Sequence, residues 1–179
     1  MSLLIGFDPG GIPAKIASAL DDIIVALQTW AGKIDGAGQW RDIPYDQANF
    51  YTKTGGAWTI QLGDLRQHRY SVTNNTMLLS FSIVGSSTGA SMSNELFVRL
   101  PSGYRVMSDV GFMGIVRWNA GVAAPPGLIN GPGASDPKDV LTLLRDVASP
   151  STNWPSSNVN DFHLHGMAIV PVVSIDPLL

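Results

Sequence analysis

Apolar side chains at Ile16, Leu20, Ile23, Leu27, Trp30 and Ile34 are spaced four, three, four, three and four residues apart. This is the spacing of a coiled-coil seam, in which one stripe of a helix faces a neighbouring helix. The helix that carries such a stripe cannot bury it alone, so the pattern predicts self-association near the N-terminal end. Pro13 suits the first turn, where its missing N–H costs nothing, and Gly32 can stop the helix after about Ala31. The stalk is assigned to residues 12–34. About two and a half heptads are clean, which is marginal for an isolated coil, so contacts elsewhere must support it. Bulky seam residues lean towards three strands over two, and a homotrimer is the expectation.

From Trp40 onward the period changes from helical to alternating. Trp58–Leu62, the second half of Met77–Val84, Leu96–Leu100, Phe112–Trp118, Val140–Val147 and Phe162–Ile175 read as strands. Thr54-Gly55-Gly56, Thr73-Asn74-Asn75, Gly85–Gly89, Pro101-Ser102-Gly103 and Asn130–Gly133 supply turns between them. This rhythm predicts a mainly β head over residues 40–179, an antiparallel sandwich of jelly-roll type. One run reads two ways. Asp136 and Pro137 could cap and open a short helix through Arg145, but a strand is the preferred reading. Residues 1–11, ending in the turn chemistry of Asp8-Pro9-Gly10-Gly11, form a lead-in or docking segment. Residues 35–39 form a hinge.

Composition narrows the class. Apolar residues make up 45% of the 179 and charged residues 14%, against roughly 25% charged in ordinary soluble domains. A surface short of charge points to extra burial between subunits or to a face of neutral polar side chains. The net charge of −3 gives no electrostatic reason to expect nucleic acid or an acidic membrane. There is no cysteine, so disulfides, thiol chemistry and cysteine-ligated zinc are excluded. No segment reads as a signal peptide or approaches the ~20 apolar residues of a membrane span, so assembly in a cytoplasm is expected.

Tyr51–Thr59, Arg69–Val72, Leu79–Ile83 and Leu100-Pro101-Ser102-Gly103-Tyr104 together resemble the heads of bacteriophage fibre and capsid-appendage proteins. The resemblance covers residues 40–118 and implies a homotrimer. In that family the N-terminal coil docks to other virion proteins and the distal head faces the environment, where it can bind a host-surface glycan. The implied location is the virion surface after assembly in the host cytoplasm. The family has no fixed catalytic residues, so neither an enzyme nor a cofactor is expected. A capsid decoration or cementing protein without a receptor is an alternative, and so is a trimeric C1q-like lectin or ligand.

Three constellations could hold chemistry in the head. His163 and His165, two apart on a strand, share one face and could meet a metal. On a threefold axis such a pair would resemble the iron sites of some phage fibre tips. The plainer reading is a solvent face backed by Phe162, Leu164 and Met167. The loop Asn153-Trp154-Pro155-Ser156-Ser157-Asn158 combines an aromatic ring with amides and hydroxyls, which suits a sugar. Trp154, Asn153 and Asn158 are therefore candidate glycan-binding residues, with Arg117-Trp118-Asn119 and Asn49-Phe50-Tyr51 as weaker versions. The competing reading is that Trp154 covers an edge of the core. Trp40 and Trp58 are expected to be core or interface anchors. Asp64, Glu95, Asp109 and Asp161 lie near strand ends, but nothing in their spacing pairs them. No nucleophile elbow, phosphate loop or HExxH motif is present.

Overall fold

The computed structural model describes residues 22–25, 38–54, 57–90, 92–107, 111–120, 124–149, 151–155 and 160–175. The chain divides into two units, Met1–Gln39 and Trp40–Leu179. In the first, Asp22–Val25 form a helical turn whose apolar members Ile23, Ile24 and Val25 are exposed. The other seam positions, Ile16, Leu20, Leu27, Trp30 and Ile34, lie outside the described residues.

The second unit is mainly β. Its strands are β1 (Arg41–Asp42), β2 (Phe50–Thr52), β3 (Trp58–Thr59), β4 (Leu65–Thr73), β5 (Thr76–Thr88) and β6 (Glu95–Arg99). They continue with β7 (Tyr104–Val106), β8 (Phe112–Asn119), β9 (Gly127–Asn130), β10 (Val140–Leu144) and β11 (Phe162–Ser174). All pairings are antiparallel, in the order β1-β4-β5-β11-β8-β9-β10-β6-β2, with β3 added to β5 and β7 to β11. This one sheet curls on itself into a sandwich-like body. Phe50 of β2, at one end of the order, packs 5.1 Å from His68 of β4, near the other end. Gln47 fastens the closure: its side-chain amide donates to the Phe50 and Trp58 carbonyls and its oxygen accepts from the Ile60 amide.

Local chemistry explains the strand ends. Asn74 and Asn75, both at positive φ (49° and 60°), form the two-residue turn between β4 and β5, the geometry that matches strand twist. The expected strand at Trp58–Leu62 stops after Thr59 because the Asp64 carboxylate accepts from the Gln61 amide and closes a turn. Asp136 likewise caps a turn by accepting from the Gly133 amide, so no helix starts there and β10 forms instead. Bulges fall between Leu65 and Gln67, Phe112 and Gly114, and Phe162 and Leu164. Each adds local twist, which suits a sheet that must curl.

The interior is filled from the inward face of every long strand. Phe162, Leu164, Ala168, Val170 and Val172 of β11 are buried against Met77, Leu79, Phe81 and Ile83 of β5 and Val116 of β8. Gly166 is inward too, and the Phe81 ring lies where its side chain would be: a Cβ there would fall 2.2 Å from the ring. Trp58 is buried as expected. Trp40 is not part of the core: it is 42% exposed beneath the Arg69 guanidinium, 4.6 Å from the ring centre.

Candidate functional site

The glycan platform expected at Trp154 is not formed. Trp154 is 1% exposed, its ring edge-on to Trp118 and Phe162 at 5.7 Å each, and its Nε1 donates to the Leu143 carbonyl at 3.3 Å. Both faces of the indole are therefore covered by the core, and a sugar has nothing to stack on. Asn153 is exposed and uses its backbone carbonyl to accept from Arg145 Nη1. Asn158 lies outside the described residues. The two weaker candidates fare alike. Trp118 is buried under the Arg145 guanidinium, Phe50 is a core residue, and Tyr51 packs on Phe97 with Arg99 above its ring.

His163 and His165 do share the outward face of β11. They line a shallow pocket of about 290 Å³ with Arg117, Trp118 and Asn119. Each imidazole already has a partner: His163 Nε2 meets Asp161 Oδ1 at 2.5 Å, and His165 Nδ1 meets Ser82 Oγ at 2.9 Å. Burial lowers the pKa of His165, and the neighbouring His163 and Arg117 lower it further. A guanidinium beside the ring is a poor neighbour for a metal cation. Among the described residues no three His, Asp or Glu side chains gather as a metal site. Met167, expected on the face opposite the histidines, stands on the same face, because residues of equal parity share one side of a strand.

The candidate acids are dispersed. Asp64 caps its turn, Asp161 holds His163, and Glu95 pairs with Lys53 Nζ at 2.9 Å. The same ammonium reaches Asp136 at 3.2 Å, and these two carboxylates raise the Lys53 pKa. Asp109 lies outside the described residues.

Below the histidines the outward face turns apolar. Met167 of β11 sits opposite Ile115 of β8, which sits opposite Leu128 of β9, so the row crosses three strands. The next row pairs Ile169 of β11 with Leu78 of β5. Phe112, Ile115, Met167 and Ile169 are 61, 53, 59 and 59% exposed, and Leu78 is 38% exposed. Met167, Ile115, Ile169 and Leu78 thus form an exposed apolar cluster across three strands, in the range of a few hundred Å² that marks the largest patch on a monomer and is often functional. Sequence reasoning missed this face. The signal it offered was an apolar residue at both parities through Met167–Val173, which leaves one set outside whichever set is core.

Comparison with protein-family models, curated proteins and solved structures gives no match. Among the described residues no helix is long and apolar enough to cross a membrane.

Proposed function

We propose that this chain is a self-associating structural module, a phage virion appendage whose β head is displayed on the particle. Its copies meet through the outward face of β8 and β11 and are joined by trimeric coils of residues 12–34. The observation that carries this reading is the exposed pair Met167 and Ile115, with half-buried Leu128 continuing the row and exposed Ile169 and Leu78 beside it. An apolar ladder of this size is costly in water and is relieved by a second apolar surface. A stable interface needs roughly 800 Å² per partner, so the patch supplies part of the requirement and the stalk can supply the rest. The chain's low charge and the exposed Ile23, Ile24 and Val25 are in keeping with surfaces held for other copies.

A capsid decoration protein without a receptor is the second reading, favoured by the burial of Trp154, Trp118 and Phe50, which takes those three rings away from a sugar. Antibody labelling of virions under the electron microscope tests both, with label on the particle surface expected. Unlabelled virions would overturn the appendage and decoration readings together. Particles lacking the protein separate the two: a fibre head lowers adsorption when lost, whereas a cementing protein lowers particle stability.

A further inference from the structure

A second recess lies away from the histidines, around the turn between β6 and β7. It has a volume of about 570 Å³ and is lined by Arg99, Arg105, Lys138, Asp139, Ser102 and Asn49, among others. The described lining therefore holds three cations and one carboxylate. Its frame is fixed by three backbone hydrogen bonds. The Leu100 amide donates to the Asp139 carbonyl, Val106 to Lys138, and Ile175 to Gly103. Gly103, at φ 89°, makes the turn that lets the chain double back between the two arginines. On this frame the partly exposed Arg99 lies with its Nε 3.6 Å from Asp139 Oδ2 and its guanidinium 5.6 Å from the Tyr51 ring centre. Arg105 is exposed at the opposite end, where its partner across the β7–β11 pair is Val173.

We propose that this cleft binds an oxyanionic glycan, a saccharide chain bearing carboxylate or phosphate groups. Guanidinium forks match both groups in a two-pronged geometry, and Arg99 and Arg105 supply two of them on the wall of the cleft. The Ser102 hydroxyl and Asn49 amide are neutral partners for ring hydroxyls. The volume greatly exceeds that of a bare anion and suits one or two sugar rings. Tyr104 is buried with its ring against Tyr70, so recognition here runs through charge and hydrogen bonds and not through stacking. This inference goes beyond the appendage reading and stands without it, since every described residue that lines the cleft belongs to one chain.

The test is calorimetric titration of the full chain with three oligosaccharides of equal length: a polyuronate, a sugar-phosphate polymer and a neutral glucan. Binding of at least one acidic oligomer is expected, with none of the neutral one. The affinity should fall about tenfold or more between 50 and 300 mM salt, roughly the loss for two charge contacts. The polyuronate and phosphate arms tell which oxyanion is preferred. Arg105→Glu and, separately, Lys138→Glu should each lower the affinity tenfold or more, with sedimentation and melting unchanged. Failure of both acidic oligomers to bind would overturn the proposal. Equal binding of the neutral glucan would do so too, as would wild-type affinity in both folded variants. Loss of oligomers with binding retained would count only against the appendage reading.

Discussion

The two faces of β11 differ in what covers them, although the strand is apolar on both over much of its length. Inward, Phe162, Leu164, Ala168, Val170 and Val172 are at most 1% exposed and touch β5 and β8 residues of the same chain. Outward, His163 and His165 give way to Met167, Ile169 and Val173, and the last three are about half in water. Identical backbone geometry thus serves one face that is buried within the chain and one that stays in water. The contrast separates residues that hold the fold from residues the fold leaves exposed, and substitutions on the two sides should behave differently.

The largest effect is expected inside. Trp154→Ala should lower the unfolding free energy by about 3–5 kcal/mol, because it opens a cavity between Trp118 and Phe162 and removes the indole hydrogen bond to the Leu143 carbonyl. The outward Met167→Ala should change the stability of the dissociated chain by no more than about 0.5 kcal/mol. Denaturant titration at submicromolar protein compares them, and equal losses would erase the distinction between the faces.

A smaller inner effect is set by pH. His68 is buried beside Phe50 with no hydrogen-bond partner on either ring nitrogen, and burial lowers its pKa from 6.5 to about 4. As pH falls the unfolded chain takes up this proton first, so the contribution is complete above pH 6.5 and is lost progressively down to about pH 4. The loss is on the order of 3 kcal/mol. Unfolding free energies at pH 7 and 4.5 should differ far less in His68→Leu than in wild type. Parallel pH dependence in the two proteins would refute the assignment.

The smallest effect belongs outside. His165 is faced by Arg117 from β8, Ser82 from β5 and His163 on its own strand, with Asp161 holding His163. Its pKa is lowered, so the ring is neutral at pH 7.5, and a contact that covers it favours that neutral form. Acidification then adds charge to the face. Dissociation of copies should become several-fold easier from pH 7.5 to pH 5, and His165→Gln should blunt the change; an unaltered pH response in that variant would remove His165 from the interface.

How much of this was legible in the chain depended on period and distance. The long strands announced themselves where one parity is apolar, as in Ile83 with Phe81 or Phe162 with Leu164. β4 did not, since its inward residues His68 and Tyr70 are polar enough to mask the alternation between Arg66 and Arg69. β10 read ambiguously because all five of its residues are buried, which leaves no period to count. Strands of two to four residues such as β1, β2, β7 and β9 carry too few positions to show one. The aromatic loop misled for another reason. Asn153, Pro155 and Ser156 mark Trp154 as a surface residue, while the rings that bury it stand at Trp118 and Phe162 and are joined to it only by folding. The histidine pair was placed on one face from spacing alone, but its partners Ser82 and Arg117 come from other strands.

Sedimentation of the full chain at micromolar concentration tests the outward face most directly. The wild type should run as a multimer, and Met167→Glu combined with Ile115→Glu should release a smaller, folded species, because a charge on each of two neighbouring strands cannot be covered by an apolar partner. A wild type that sediments as a single folded subunit, or a double variant that keeps the full multimer, would contradict the account.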